Sequence, residues 1–132
     1  MKKYFVLIAA ALSLAACAGS DSTCADHEAN AKAPILFRFD SVNFTPESQA
    51  RVDDGLTYLT GHRFHDIELD GYADEVGGKT EYNMDLSRRR AEYVRDYMIK
   101  NGVAEKRITT RWHGVESGHP YKERRRVDVT VK

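Results

Sequence analysis

The stretch DLSRRRAEYV, residues 85–94, combines a helical pattern with three consecutive arginines. On a helical wheel Leu86 and Val94 belong to an apolar arc, and Arg88 and Arg89 fall on the opposite, polar side. Arg90 does not follow them, because it lies in the apolar arc one turn from both Leu86 and Val94. A guanidinium near a protein core is costly unless acceptors or an anion meet it. The stretch therefore predicts an amphipathic helix whose buried cation needs a partner.

Three partners for Arg90 are compatible with this pattern. A carboxylate of the chain could form a structural salt bridge, or the long side chain could extend to the edge of a sheet and stay hydrated. The third partner is an anionic group of a bound ligand. The pattern of residues 85–94 by itself leaves these three interpretations open.

Two strands and a helix are predicted before this stretch. Residues 35–40, ILFRFD, alternate as a half-buried strand with Ile35, Phe37 and Phe39 on one side. A helix should begin with Thr45 as its cap and Pro46 in its first turn, and should end at Gly61. Its buried face should carry Val52, Leu56 and Leu59. Residues 66–74, DIELDGYAD, predict a second strand with Ile67, Leu69, Gly71 and Ala73 on one side.

The helix of residues 85–94 should begin near Asn83 as its cap and end at Gly102. Residues 107–114 and 125–132 then alternate as a third and a fourth strand. Strands joined by helices favour parallel neighbours, whereas the short connection between the last two strands favours an antiparallel arrangement. The predicted fold class is α+β: a two-layer β-α-β-α-β-β domain whose mixed sheet carries two helices on one face.

The N-terminus predicts export and lipidation. Residues 1–16 have a basic start and a short apolar run, as in a secretory signal, and that run is too short to span a bilayer. The junction LAAC, residues 14–17, resembles the lipobox of bacterial lipoproteins, in which the cysteine, here Cys17, is acylated. Ala18 in place of aspartate favours the outer membrane. Residues 17–33 are predicted to form the lipidated N-terminus and a flexible tether, and Cys24 would either pair with another chain or stay a thiol.

Charge argues against nucleic acid as a partner. The chain has 20 basic and 20 acidic residues, and loss of Lys2 and Lys3 with the signal leaves a formal charge of −2. The basic run KERRRV, residues 122–127, is dispersed by strand alternation, which points neighbouring arginines to opposite sides.

Strand parity brings opposite charges together at one end of the predicted sheet. Arg125 shares a face with the valines of the last strand, and Asp74 ends the second strand near the start of the arginine-bearing helix. Arg90 lies in the first turns of that helix. Arginine forks bind carboxylates, and aspartate accepts hydrogen bonds from an ammonium. Asp74, Arg90 and Arg125 together therefore suggest a site for a small zwitterion.

Five short motifs of the folded region are typical of one protein family. They are FRFDS, GYADE, EYNMDLSRRRAEYV, NGV and RRV, at residues 37–41, 71–75, 81–94, 101–103 and 125–127. With them, residues 34–132 resemble the C-terminal domain of outer-membrane protein A, an OmpA-like domain, and most closely peptidoglycan-associated lipoproteins of the Pal type. The resemblance implies an outer-membrane lipoprotein whose periplasmic domain binds peptidoglycan non-covalently and so tethers the membrane to the cell wall. Asp74 and Arg90 would hold the diaminopimelate of the stem peptide. Phe39, Asp40, Asn83 and Arg125 match positions that line or support the same cleft. Tol-type envelope proteins are a further candidate partner.

The residues also suggest three other functions. Asp74, Glu75 and His113 could be imagined as acid and base, but no nucleophile motif occurs and adjacent carboxylates at a strand end diverge, so no enzyme is predicted. His62 and His65 have a ligand-like spacing without a third ligand nearby, and neither a metal nor a cofactor is predicted. The serious alternative is a periplasmic scaffold of the same fold that binds a protein partner, motivated by the short YKER connection before Arg125.

Overall fold

A computed structural model describes residues 22–74, 80–116 and 118–132. The helices among them are α1 (Ser22–Lys32), α2 (Pro46–Gly61), α3 (Thr80–Lys100) and the single turn α4 (Tyr121–Arg124). The strands are β1 (Ile35–Leu36), β2 (Ile67–Ala73), β3 (Ile108–Val115) and β4 (Arg126–Val131), and a 3-10 turn, Glu105–Arg107, precedes β3. The predicted signal, residues 1–16, and Cys17 lie outside the described residues.

The four strands form one mixed sheet in the order β1-β4-β2-β3. The crossover through α3 makes β2 and β3 parallel neighbours, as the sequence predicts. β4 lies between β1 and β2 and is antiparallel to both. The last two strands do run in opposite directions, but they are not neighbours, because β4 pairs with β2 instead of β3. The α+β fold class with its mixed sheet is confirmed.

Helix α2 forms as the sequence predicts. Pro46 occupies the first turn, and the Thr45 side chain caps the helix by accepting a hydrogen bond from the Ser48 backbone N–H at 3.3 Å. The helix ends at Gly61. Its buried face packs into a core shared by all four strands, α1 and α3; that core includes Val52, Leu56, Leu59, Ile67, Leu69, Val94, Met98, Val127 and Val129.

Helix α3 lies unusually close to the sheet because a glycine on β2 faces it. A Cβ placed on Gly71 would lie 2.2 Å from the backbone oxygen of Ser87, so a larger residue at position 71 would displace the helix. Ser87 also accepts a hydrogen bond from the Gly114 backbone N–H at 3.0 Å. The buried residues of α3 follow this contact line at helical spacing; they include Asn83, Leu86, Ser87, Arg90 and Ala91.

The predicted beginning of this helix was wrong, whereas its end was close. α3 starts at Thr80, one turn before Asn83, and Asn83 is a buried residue facing the sheet instead of a cap. At the other end Gly102 adopts a left-handed backbone with φ of 102°. The Val103 N–H reaches the Met98 carbonyl at 3.0 Å, which is the hydrogen bond that closes a helix ending on such a glycine.

The first predicted strand is shorter than the alternation of residues 35–40 suggests. β1 ends at Leu36, and Phe37 pairs back with Phe44 across a tight loop. The chain turns at Asp40, which has a left-handed φ of 46°. Phe39 therefore does not continue the buried row of Ile35 and Phe37, and it is 65% exposed.

The described part of the predicted tether is helical. α1 packs along α2, and Ala31 is buried against Gly55, where an added Cβ would lie 2.7 Å from the Ala31 backbone. Asn30 donates a hydrogen bond to Asp54 at 2.7 Å. The small residues that suggested a coil instead allow two helices to approach closely. The prediction of a flexible tether is therefore wrong for residues 22–32.

Candidate functional site

Arg90 is the most deeply enclosed cation of the candidate site. Its side chain is 0% exposed, and its guanidinium lies 5.3 Å from the centre of the Phe37 ring. Nε donates to the Ser41 carbonyl at 3.0 Å, Nη1 to the Tyr72 carbonyl at 3.1 Å and Nη2 to the Arg38 carbonyl at 3.4 Å. Arg90 thus joins the loop of residues 38–41 to the end of β2, and these bonds use three of its five N–H groups.

The charge state of Arg90 is set by opposing effects. Burial lowers the pKa of its guanidinium to about 10, the nearby Asp74 carboxylate raises it and the Arg125 cation lowers it. A pKa of about 10 still leaves Arg90 protonated near neutral pH. The site therefore keeps a buried positive charge whose hydrogen bonds to chain carbonyls do not neutralise it.

Asp74 follows the last residue of β2 and is 4% exposed. Its Oδ2 accepts from Nη1 of Arg125 at 3.3 Å, and its Oδ1 is buried with no hydrogen-bond partner among the described residues. Oδ1 of Asn83, one turn into α3, is in the same condition in the described part of the chain. Buried acceptor oxygens of this kind are rare in proteins. Two of them occur here, one on the residue that bonds to Arg125 and one two turns before Arg90 on α3.

Arg125 forms the accessible side of this group. Its side chain is 18% exposed, Nε approaches the Phe37 carbonyl at 3.4 Å, and its guanidinium lies 5.8 Å from the centre of the Phe39 ring. The backbones of the two segments are joined as well, because the Phe37 N–H donates to the Arg125 carbonyl at 2.7 Å. Hydrogen bonds that join Phe37 to both the backbone and the side chain of Arg125 therefore hold it beside Asp74.

The loop of residues 37–44 forms the outer wall. The Arg38 N–H donates to the Asn43 carbonyl at 3.0 Å, and the Asn43 N–H donates to the Ser41 hydroxyl at 2.9 Å. At its tip, Asp40 accepts a hydrogen bond from the Tyr82 hydroxyl of α3. The exposed Phe39 and Asp40 thus lie at the rim, above the arginines.

The structure brings all six predicted ligand-binding residues to one end of the sheet: Phe39, Asp40, Asp74, Asn83, Arg90 and Arg125. The predicted convergence of a strand-end aspartate with two arginines is therefore found. Among the described residues, however, Arg90 hydrogen-bonds to neither Asp74 nor another carboxylate. Backbone carbonyls surround it instead, which a helical wheel could not reveal. Glu75 and the rest of residues 75–79 lie outside the described residues.

The histidines singled out in the sequence are engaged elsewhere. His113 bonds to Asp70 at 2.8 Å and stacks on Tyr72, on the face of the sheet that α2 and α3 do not cover. Nδ1 of His62 lies 2.9 Å from the Tyr58 carbonyl, and Nδ1 of His65 lies 2.9 Å from the Lys132 carbonyl. Within the described ranges no group of three or more metal-ligating side chains occurs.

Two buried arginines were missed in the sequence. Arg107 donates to the carbonyls of Leu59, His62 and His65 at 2.7–2.8 Å and so completes the end of α2. Burial lowers the pKa of its guanidinium. Arg126 lies 4.3 Å from the Tyr72 ring centre and bonds to Asp128 at 2.8 Å. The alternation of β4 does place Arg126 opposite the valine face, but its burial carried no sequence signal.

The family relationship follows from comparison with known proteins. The model of the OmpA family matches residues 36–127. The chain belongs to the OmpA family. Among curated relatives, it is 35% identical over 108 residues to a peptidoglycan-associated lipoprotein of Rhizobium meliloti. That alignment covers 82% of this chain and 61% of the relative. It is also 35% identical over 85 residues to outer membrane protein A of Yersinia pseudotuberculosis, covering 63% of this chain and 24% of that protein. The chain thus spans about three fifths of the first relative and about a quarter of the second.

A solved structure agrees with the fold. The peptidoglycan-associated lipoprotein of Burkholderia pseudomallei superposes with a TM-score of 0.68 at 30% identity, covering 77% of this chain and 92% of that one. The C-terminal domain of MotB from Helicobacter pylori superposes with a TM-score of 0.63 at 15% identity, and it shares the fold. The OmpA-like resemblance noted from the sequence motifs is confirmed.

Proposed function

We propose that the protein is an outer-membrane lipoprotein that binds peptidoglycan non-covalently and tethers the membrane to the wall. Its acylated Cys17 would enter the membrane, and its periplasmic domain would hold the diaminopimelate of the stem peptide. Relatives named as peptidoglycan-associated lipoproteins support this assignment, at 35% identity for one of them. Among the described residues, none of the helices has the length and apolar character of a membrane span.

The observation that carries the proposal is that two buried acceptor oxygens lie at the end of the sheet that also holds Arg90 and Arg125. Oδ1 of Asp74 and Oδ1 of Asn83 are buried and lack partners among the described residues, and an ammonium supplies the donors that such oxygens need. Arg125 is open to solvent on one side, and Arg90 adds a second positive charge beneath it. A carboxylate would be attracted to both. The two ends of an amino acid centre thus find complementary partners a few ångströms apart.

The protein-scaffold alternative predicts a different arrangement. If the domain had lost wall binding, Asp74 and Arg90 should form an internal ion pair with each other. Instead, among the described residues, Asp74 bonds to Arg125 through Oδ2, while Arg90 donates to backbone carbonyls. This arrangement favours a binding site, because Oδ1 of Asp74 can still accept a hydrogen bond from a ligand. Tol-type envelope proteins stay a proposed additional partner.

We infer a binding protein without catalysis. The acid–base rival requires His113 beside Asp74, and His113 is instead occupied by Asp70 and Tyr72. The relatives are named for peptidoglycan association or as outer membrane proteins. A release assay on sacculi should therefore detect no soluble fragments.

Co-sedimentation of the mature chain with purified peptidoglycan sacculi tests the function. The unmodified chain should sediment with sacculi, and free diaminopimelate should compete. Asp74→Ala should abolish sedimentation, while Asp70→Ala, which removes a β2 carboxylate that bonds to His113 instead of Arg125, should not. Arg90→Ala should also abolish it, with circular dichroism used to confirm folding. Sedimentation that is insensitive to diaminopimelate and to Asp74→Ala would reject the proposal.

A further inference from the structure

A second exposed surface lies at the end of the domain opposite the candidate site. Residues 62–66 join α2 to β2 and therefore lie at the beginning of β2, whereas Asp74 follows its end. Seven strand residues separate the two ends by roughly 20 Å. At the turn, the side chain of Phe64 is 100% exposed. A single exposed aromatic side chain is common on protein surfaces, so only the residues around Phe64 can indicate a binding surface.

Basic side chains surround Phe64. A surface cavity of about 840 Å³ adjoins it and is lined by Arg63, Lys106 and Arg107, with Asp66 as the carboxylate in the lining; the other lining residues are Thr60, Gly102 and Ala104. Arg63 and Lys106 are exposed, while Arg107 is held by carbonyls. An aromatic ring projecting between cations is complementary to an anionic surface with an apolar layer beneath it.

Helix α1 brings the N-terminal side of the chain to this same end. Ala31 faces Gly55, and Glu28 interacts with Tyr58 one turn further along α2, so the two helices run antiparallel. The beginning of α1 therefore lies beside the end of α2, next to residues 62–66. Cys17 is five residues before Ser22, and five residues span about 18 Å at most. Acyl chains on Cys17 would thus confine this end of the domain to the neighbourhood of the bilayer.

We infer that the tip of residues 62–66, with Lys106, is a membrane-docking surface for the anionic phospholipid headgroups of the bilayer that holds Cys17. Phe64 inserts at the headgroup level, and Arg63 and Lys106 contact lipid phosphates. The candidate site at the end of β2 is then directed away from the membrane and toward the wall. This inference rests on the proposed lipidation of Cys17, and it adds an orientation that an extended tether would not impose.

The test uses the mature lipidated chain in vesicles of phosphatidylethanolamine and phosphatidylglycerol that contain brominated acyl chains. Trp112 is first replaced in Trp112→Phe, and Phe64→Trp is added as the probe. Phe39→Trp in the same background is the matched control, because Phe39 is an exposed phenylalanine at the opposite end. The tryptophan at position 64 should lose fluorescence to the bromines and shift to shorter wavelength. The tryptophan at position 39 should do neither.

Charge reversal and lipid composition complete the test. Arg63→Glu with Lys106→Glu should relieve the quenching, since each basic residue near an anionic surface contributes about fivefold to partitioning. Neutral phosphatidylcholine vesicles should act in the same direction. Equal quenching at positions 64 and 39, or no quenching at either while the chain still floats with vesicles, would overturn the docking surface alone. A mass spectrum without acyl chains on Cys17 would overturn both the anchor and the docking, whereas sedimentation with sacculi reports wall binding separately.

Discussion

Replacing the buried Arg90 with methionine should destabilise the domain far more than the same replacement of its exposed neighbour Arg89. Arg90→Met keeps much of the side-chain length but removes three hydrogen bonds from a charged donor to the carbonyls of Ser41, Tyr72 and Arg38. Such bonds contribute about 1.5–3 kcal/mol each, or about 5–9 kcal/mol together if they are additive. The loss is partly offset, because burial of the cation is itself unfavourable.

The offset can be sized from the pKa of Arg90. Its fall from 12.5 to about 10 corresponds to about 3 kcal/mol favouring the unfolded state, where the cation is hydrated. The net cost of Arg90→Met is then about 2–6 kcal/mol in the free energy of unfolding. Because the folded pKa is depressed and lies near 10, Arg90 is charged in both states at neutral pH, and its contribution should not vary between about pH 6 and pH 8.

Urea unfolding of the mature chain, followed by circular dichroism, measures this cost. Arg89→Met is the matched control, since Arg89 precedes Arg90 on α3, is exposed, and pairs with Asp85 at 2.8 Å. An exposed pair of this kind contributes less than about 1 kcal/mol. Equal midpoints for the two variants would refute the view that Arg90 is the cation that joins the loop of residues 38–41 to β2.

Two further substitutions test the packing and the charge network. Gly71→Ala should lower the free energy of unfolding by about 3 kcal/mol or more, because its Cβ would meet the Ser87 carbonyl, whereas Gly61→Ala, with no atom within 4 Å, should have little effect; thermal or urea melts that fail to separate them would contradict the close packing of α3. Hydrogen bonding from Arg126 lowers the pKa of Glu116, so its contribution to stability is present above the unfolded pKa and is lost as pH falls below it. Glu116→Gln should therefore make stability less steep between about pH 5 and pH 3, by well under 1 kcal/mol because Glu116 is partly exposed, and identical pH profiles would exclude this contribution.

Periodicity predicted those parts of the fold in which one face is buried. The alternation of β2 and the apolar face of α2 are found as expected, and parity placed Arg125 near Asp74. Order in the sheet could not be predicted this way, because strand patterns do not say that β4 inserts between β1 and β2. The choice depends on long-range pairing, which leaves no local signal in either strand.

Three other features differ from the sequence prediction: the conformation of residues 22–32, the exposure of Phe39 and the partner of Arg90. The small and polar residues of positions 22–32 suggested a coil, but they form α1, which packs closely on α2 where Ala31 meets Gly55. Phe39 continues an alternating pattern, yet a left-handed turn at Asp40 removes it from the core. The partner of Arg90 was sought among carboxylates, whereas backbone carbonyls supply it. Carbonyl positions depend on tertiary structure and cannot be inferred from side-chain types.

Calorimetric titration of the mature chain with two stem tripeptides tests the central claim most directly. One peptide carries diaminopimelate at its third position, and the other carries lysine, which lacks the second carboxylate but keeps the side-chain ammonium. The account predicts that the diaminopimelate peptide binds more tightly, that Arg125→Met removes this preference, and that Asp74→Asn weakens both peptides. Equal affinity for the two peptides in the unmodified chain, or unchanged binding in Asp74→Asn, would contradict recognition of a zwitterion between Asp74 and the arginines.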